Sequence, residues 1–233
     1  MRKPHPTVHS FQSADWKHII ISGAREIGIV VSDPQMERLV RFAQLLIDWN
    51  RRVNLTAITD PREVAVKHFL DSMAALPYIP ETGHLLDIGS GGGFPGLVIS
   101  IFRPSLSITS IDSVRKKISF QQQVIRTLEL ERSRAIHTRA ESLLGGPERY
   151  DVIISRALGS LQMFATLGLP VLAEEGEMIA YKGGMDEGEG DEVALLEDRQ
   201  KDLSVDIHSY ALTFSGDRRS LVFIRPKKGK ERC

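Results

Sequence analysis

A glycine-rich turn between an apolar strand and an apolar helix is the feature that most constrains this chain. The sequence from His84 to Ile101 reads HLLDIGSGGGFPGLVISI. Its first residues predict a short buried strand. Pro95 suits the first turn of the following helix, because the N–H that proline lacks has no partner there. Such a turn lets a ligand approach bare backbone and aims a helix N-terminus at it.

Two classes of ligand fit this turn. Gly91, Gly93 and Gly96 match the G-x-G-x-x-G pattern of dinucleotide-binding folds, and Asp112 stands at a suitable distance further along the chain. The alternative is a D-x-G-x-G-x-G pattern that begins at Asp87 and is typical of S-adenosylmethionine enzymes. The ammonium group of that cofactor favours an acid at Asp87, whereas a nicotinamide cofactor gains nothing from an acid beside its phosphates. The pattern therefore favours S-adenosylmethionine, and a turn without any ligand is a third interpretation.

Composition excludes several other classes of protein. The chain has 233 residues, of which 42% are hydrophobic and 26% charged, as in ordinary globular proteins. Its 30 basic and 30 acidic residues balance, so overall charge does not indicate nucleic acid. The single cysteine, Cys233, excludes a disulfide within the chain, and the histidines show no metal-binding spacing. Without a secretory leader or a long apolar run, we expect a cytoplasmic protein that does not span a membrane.

Hydrophobic periodicity predicts two regions, a helical N-terminal extension over 1–80 and a binding domain over 81–233. The extension is expected to cover one edge of a sheet. In the second region strands and helices alternate, which predicts a mostly parallel sheet with helices on both faces and an antiparallel strand from a final hairpin. The predicted helices are 11–30, 33–49, 61–76, the helix of 95–101 after the glycine turn, 114–130, 161–173 and 187–203. The predicted strands are 85–88, 106–111, 135–138, 150–155, 177–181, 205–214 and 219–224.

Acidic residues follow two of these strands, where ligands bind in an open α/β sheet. Asp112 ends its strand and would accept hydrogen bonds from the hydroxyls of a ribose, or it would cap the helix that begins near Val114. Glu141 follows the next strand, and the side chain or its backbone would accept a bond from an adenine amino group. The alternative for Glu141 is a capping acid.

Basic residues follow the next strands along the chain. Arg156 comes directly after a buried strand and would point into the cleft, where it would bind an anionic group bidentately. The alternative is an internal ion pair of Arg156 with Asp151 or Glu141. Lys182 occupies the equivalent place on the next strand. The tail from 225 to 232 is strongly basic and would follow a phosphate backbone or only aid solubility.

Several motifs together resemble one family, the RsmG (GidB) family of bacterial small-subunit ribosomal RNA methyltransferases. They are WN at 49, NLTAI at 54, HFLDS at 68, LDIGSGGGFPG at 86, ISRA at 154 and YKG at 181. The resemblance implies a Rossmann-like class I S-adenosylmethionine methyltransferase fold with a seven-stranded, mostly parallel sheet. It also implies methylation of a guanine N7 in 16S rRNA, either free or in the small ribosomal subunit. We separately expect a monomer, and the histidine spacing predicts no metal site.

The resemblance also implies roles for individual residues. We expect Arg156 and Lys182 to act in catalysis. Two other functions of the whole protein stay open: a non-catalytic rRNA-binding assembly factor and a nicotinamide-dependent oxidoreductase. Basic residues expected at the RNA or the target base are Arg139, Lys182 and Arg219. Taken with the pattern of the glycine turn, the expected cofactor contacts are Asp87, Gly89, Gly91, Gly93, Phe94, Asp112, Ala140, Glu141 and Arg156.

Overall fold

The protein folds as a seven-stranded sheet with helices on both faces. The computed structural model describes residues 8–156, 159–183 and 187–227. The strands are β1 (Gly83–Ile88), β2 (Leu106–Asp112), β3 (Ser133–His137), β4 (Tyr150–Arg156), β5 (Leu172–Gly183), β6 (Leu203–Ala211) and β7 (Arg218–Pro226). Their order is β3-β2-β1-β4-β5-β7-β6, and only the pairs that β7 makes with β5 and β6 are antiparallel. The predicted seven-stranded, mostly parallel sheet is thereby confirmed.

Eight α-helical segments surround the sheet within the described ranges. They are α1 (Ala14–Glu26), α2 (Asp33–Val53), α3 (Pro61–Val64), α4 (Asp71–Met73), α5 (Gly96–Phe102), α6 (Arg115–Leu128), α7 (Leu161–Gly168) and α8 (Glu187–Arg199). The second helix begins as its sequence predicts, because Ser32 and Gln35 form a reciprocal capping box and Pro34 occupies the first turn.

The predicted helix over 61–76 is not one regular helix. A π-helical turn, Ala65–Leu70, joins α3 to α4, and the segment ends at Met73. Apolar periodicity does not distinguish this wide turn from an α-helix, because both bury a similar stripe of side chains. π-helical turns often occur at functional sites, so this turn indicates that a functional site lies beside it.

The N-terminal extension packs on one face of the sheet and not on an edge, which corrects the prediction. Phe42 of α2 and Phe69 of the π-helical turn share a buried core with Leu97 of α5 and Phe120 of α6. The same core includes Leu85 and other side chains from that face of the sheet. Because the two regions share this core, the boundary between 80 and 81 stays a prediction.

Element boundaries on the second half of the chain also differ from the prediction. Helices α7 and α8 end earlier than predicted, and β5 begins earlier because Leu172 already pairs with Tyr150 of β4. Strand β6 ends at Ala211, and Phe214 adopts a φ of 71° in the turn before β7. Pairing with a neighbouring strand decided the strand boundaries. The local sequence pattern does not show which residues of a distant strand will pair.

Candidate active site

The glycine turn after β1 is held open by backbone bonds. Gly89, Gly91 and Gly93 have φ values of 71°, 56° and 85°, which favour glycine. A Cβ atom added at Gly91 would meet no heavy atom closer than 4.0 Å, so the space above this residue is free. Buried Gln121 of α6 supports the turn by donating to the Ser90 hydroxyl and to the Gly91 carbonyl, each over 2.8 Å. The turn thus presents bare backbone to a ligand.

Asp112 at the end of β2 shapes the same turn. Its Oδ2 accepts the Gly91 N–H over 3.0 Å, and its Oδ1 accepts the Val114 N–H over 2.8 Å. Helix α6 begins at Arg115 with Val114 as its cap residue, so Asp112 bonds beside the helix start and not as the helix cap. The Lys117 ammonium lies 3.7 Å from the same Oδ2, so the second acceptor site of Oδ1 is the one that faces no other group in the described residues.

Two cavities adjoin at this turn. The first, of about 410 Å³, is called the Asp112 cavity. Glu141 lines it, and within the described part of the chain the carboxylate of Glu141 makes no hydrogen bond, so the capping role gains no support there. Of the residues expected at the cofactor or the RNA, those lining this cavity are Gly89, Asp112, Arg139, Ala140 and Glu141.

The second cavity, of about 240 Å³, is called the Arg156 cavity. Gly89 and Lys117 line both cavities, so the two lie side by side at the glycine turn. Basic side chains and turn backbone contribute to its wall, and no acid among the described residues lines it. Its lining residues are Leu46, Leu55, Thr56, His68, Gly89, Ser90, Gly91, Gly92, Phe94, Lys117 and Arg156. Four of these come from the N-terminal extension, which therefore builds part of the site.

Arg156 has an ion-pair partner that the sequence did not indicate. Its Nη1 lies 3.2 Å from Oδ2 of Asp71 in the extension, and not near Asp151 or Glu141. Asp151 instead accepts the His84 N–H at the opposite end of the sheet, over 2.7 Å. The predicted ion-pair alternative was therefore wrong in its partners, although an ion pair exists.

Among the expected cofactor contacts, Phe94 and Asp87 have the most deeply buried side chains. The Phe94 ring is 3% exposed and stacks between Phe42 and His68, with ring centroids 4.9 and 4.6 Å away. Asp87 is fully buried, and its Oδ2 accepts the N–H of Gly96 at the start of α5 over 2.8 Å. Burial raises the pKa of Asp87 to about 7, although the bond from Gly96 and the nearby Arg156 charge oppose this rise. Asp87 thus supports the turn from beneath and does not line either cavity.

The remaining basic residues lie further from the turn. Lys182 donates to Glu192 of α8 over 2.9 Å and lines neither of the two cavities. Arg219 lies 3.8 Å from the second oxygen of Asp71 and 3.6 Å from Asp217. The structure thus groups Arg219 with Arg156 through a shared acid and separates Lys182 from them. The basic tail beyond Lys227 and the residues at 157 and 184 lie outside the described residues.

Sequence reasoning missed the polar side chains of the extension. Thr56, His68 and Asp71 belong to motifs that carried the resemblance, yet nothing local assigned them a chemical role. One usable signal is the spacing of His68 and Asp71, which puts both on one face of a helical segment. Among the described residues, no three metal-binding side chains cluster, and no helix there is long and apolar enough to cross a membrane.

The sheet order distinguishes the two folds in which such a glycine turn occurs. A dinucleotide-binding sheet has the parallel order 3-2-1-4-5-6. Here an antiparallel strand is inserted between the last two positions. This arrangement, with the glycine turn after β1 and the acid ending β2, is the fold of class I methyltransferases.

Solved structures share this fold. A ribosomal protein L11 methylase from Lactobacillus delbrueckii subsp. bulgaricus matches with a TM-score of 0.54 and 14% identity, over 70% of this chain and 79% of that one. A precorrin-6y C5,15-methyltransferase from Geobacter metallireducens GS-15 matches with the same TM-score and identity, over 74% and 91%. At such low identity the likeness concerns the fold alone.

Sequence comparison is more specific. The family model GidB, described as rRNA small subunit methyltransferase G, matches residues 35–221. A protein named ribosomal RNA small subunit methyltransferase G from Geobacter sp. (strain M21) is 41% identical over 212 residues, or 89% of this chain and 96% of its own length. Its namesake from Geobacter sulfurreducens is 42% identical over 209 residues, or 88% and 95%. This chain belongs to the GidB family, which confirms the resemblance.

Proposed function

We propose that this protein methylates a guanine N7 in 16S rRNA, using S-adenosylmethionine as the methyl donor. The observation that carries the proposal is the junction of two cavities at the glycine turn. One is fronted by the Asp112 carboxylate and the other by the Arg156 guanidinium. Family membership supports the choice of rRNA, because the similar proteins from Geobacter are named for it.

The Asp112 cavity fits the nucleoside part of that cofactor. The open space above Gly91 admits a ligand against the backbone, and the Asp112 carboxylate suits ribose hydroxyls, which would share Oδ2 with Lys117. Glu141, which has no partner in the described ranges, suits the amino group of adenine, with Ala140 beside it. Bound there, S-adenosylmethionine would supply a methyl group on a positively charged sulfur.

The residues of this chain need to position the reacting groups more than to move protons. Guanine N7 carries a neutral lone pair, so no base has to remove a proton before it attacks. His68 is a poor base, because burial and then the Arg156 charge lower its pKa to about 3. Alignment and exclusion of water supply the rate, which is catalysis by proximity and orientation. Arg156, at the wall of its cavity, is the group we assign to this alignment.

RNA binding is assigned to basic residues around the cavities. Arg139 lies at the Asp112 cavity, while Arg219 and Lys182 extend from neighbouring strands. Both Arg219 and Lys182 contact acids, so phosphate would have to compete with these acids for them. The target base must leave its stack to reach a cavity. A ribosomal substrate suits a monomer in the cytoplasm, and we propose both.

Methyl transfer and its position on the RNA test this proposal. Purified protein is incubated with radiolabelled S-adenosylmethionine and either free 16S rRNA or small subunits from a strain that lacks the gene. We expect label in 16S rRNA, and mass spectrometry should place it as 7-methylguanosine. Label on another base would contradict the N7 assignment. Binding of a nicotinamide cofactor, without methyl transfer, would contradict the cofactor.

A further inference from the structure

Asp71 joins three strands of the site although it belongs to the N-terminal extension. It is 5% exposed, and both of its oxygens are engaged. Oδ2 accepts from Arg156 of β4 over 3.2 Å, and Oδ1 accepts the hydroxyl of Tyr210 of β6 over 2.9 Å. Arg219 of β7 lies beside Tyr210 and 3.8 Å from the same Oδ1. One buried carboxylate thus sits between two arginines that are expected at the cofactor or the RNA.

The guanidinium of Arg156 is anchored on one side only. Its Nη1 donates to the Lys67 carbonyl and to Asp71, and its Nη2 lies 3.3 Å from Nδ1 of His68. A guanidinium has five N–H donors, so two of them, one on Nε and one on Nη2, have no acceptor within the described residues. These two remain for a ligand in the cavity that Arg156 lines.

All three anchoring groups come from the irregular helical segment. Lys67 and His68 lie in the π-helical turn, and Asp71 follows it directly. Arg156 also lies over the Phe94 ring, 5.4 Å from its centroid, so the plane of the guanidinium has a support as well as an edge. The Arg156 side chain is long enough to reach the cavity without these contacts. Their effect is therefore to fix the orientation of its guanidinium.

The tautomer of His68 follows from the same contacts. Because a guanidinium only donates, Nδ1 of His68 must accept, and Nε2 therefore carries the proton. That proton is donated to the Thr56 hydroxyl over 2.9 Å, while the Ile58 N–H also donates to Thr56. Asp71, Arg156, His68 and Thr56 form one connected chain, which ends at the wall of the Arg156 cavity.

We infer that Asp71 is a positioning residue, which acts through Arg156 and holds its unpaired N–H groups toward the ligand. It also neutralises part of the repulsion between Arg156 and Arg219, and so keeps the β6–β7 hairpin beside the cavity. This inference rests on the proposed function, in which Arg156 aligns the reacting groups. Asp71 itself touches neither the cofactor nor the base.

A double-mutant cycle tests the inference. Asp71→Asn should lower single-turnover methyl transfer to 16S rRNA by about 10- to 100-fold, because a misplaced Arg156 spoils alignment. Arg156→Lys should cause a similar or larger loss, and adding Asp71→Asn to it should cost less than about threefold more, since coupled residues are not additive. Losses that multiply in the double variant would overturn the inference, as would an Asp71→Asn rate that falls only with the folded fraction.

The chain offers a matched control. Glu148 binds Arg134 and the Tyr150 hydroxyl, over 2.6 and 2.8 Å, at the opposite end of the sheet. Glu148→Gln therefore removes the same kind of charge from an arginine and a tyrosine, although this pair is about half exposed. We expect little change in melting temperature and an unchanged rate for this variant. A loss of rate equal to that of Asp71→Asn would show that any broken ion pair suffices, and would overturn the inference.

A spectroscopic arm separates failure of this inference from failure of the proposed function. In protein labelled with ¹⁵N on histidine, the His68 shifts should report a proton on Nε2 and an accepting Nδ1. Asp71→Asn should move the Nδ1 shift toward an unbonded value, whether or not the protein methylates RNA. Unchanged shifts would overturn the positioning role. Absence of methyl transfer by the wild-type protein, with the expected shift change, would reject only the proposed function.

Discussion

The carboxylate of Asp112 accepts a hydrogen bond from the backbone N–H of Gly91 over 3.0 Å, from 21 residues further along the chain. The acid that ends β2 therefore fixes the shape of the turn that ends β1. Because the same carboxylate fronts the Asp112 cavity, one side chain both builds the turn and offers acceptors to a ligand.

Asp112 should be needed for cofactor affinity. Asp112→Ala removes two backbone bonds and the acceptors for the ribose, so we expect affinity for S-adenosylhomocysteine to fall by roughly 10- to 100-fold. Titration calorimetry measures this. The control is Asp151→Asn, whose parent carboxylate also accepts a backbone N–H, but at the far end of the sheet. Equal affinity for wild type and Asp112→Ala, with only a lower melting temperature, would leave Asp112 a purely structural role.

Comparing Gly91→Ala with Gly28→Ala should distinguish a side chain that blocks the ligand from one that only strains the backbone. Gly91 has a φ of 56° and open space above it, and Gly28 has a φ of 76° with no atom within 4 Å. Alanine at either position should cost about 1–2 kcal/mol of stability, because both need a left-handed backbone. Only Gly91→Ala should lose cofactor binding, measured by calorimetry at a temperature where both variants are folded. Similar binding by the two variants would contradict a ligand at the turn.

Asp87 should make the stability of this protein depend on pH. Its pKa is about 7 in the folded state against an ordinary value of 3.8, so between these values the folded chain holds a proton that the unfolded chain releases. An acid of this kind lowers stability as the pH rises through that window. His68 acts in the opposite sense, because its folded pKa is lowered to about 3 and its stabilisation is lost as the pH falls below 6.5.

Comparison with Asp87→Asn isolates the acid, since both proteins keep His68. The stability of the variant relative to wild type should rise by at least about 1 kcal/mol between pH 4.5 and pH 7.5. Urea unfolding at several pH values measures the difference. A difference that stays constant with pH would mean that Asp87 is ionised throughout, and the assigned direction of its pKa would be wrong.

Lys182 should contribute to RNA binding only through charge. If it contacts one phosphate, Lys182→Gln should reduce the slope of log affinity against log salt by about 0.7. The control is Lys201→Gln, which removes an exposed lysine from the turn before β6, at the other end of the sheet. Filter binding of 16S rRNA fragments over a range of salt measures both slopes. Equal slopes for Lys182→Gln and wild type would show that Lys182 does not contact the RNA. Its role would then be the ion pair with Glu192.

The local parts of the site were predictable from the sequence. The strand, glycine turn and helix around Gly91 follow from the conformational freedom of glycine and from short apolar runs. Asp112 was placed at the end of a strand, and the parallel sheet brings that end beside the glycine turn. These features depend on residues close together along the chain, or on a rule that holds for every parallel sheet.

The tertiary structure alone decided which side chains meet. Arg156 and Asp71 are 85 residues apart along the chain, and Tyr210 and Asp71 are 139 residues apart. Asp87 was expected to face the ligand, yet packing of α5 against the sheet sealed it beneath Gly96. A local pattern records that a residue is acidic and ends a strand. It does not record which distant helix covers that strand, because that choice comes from burying the apolar faces of the extension and the sheet against each other.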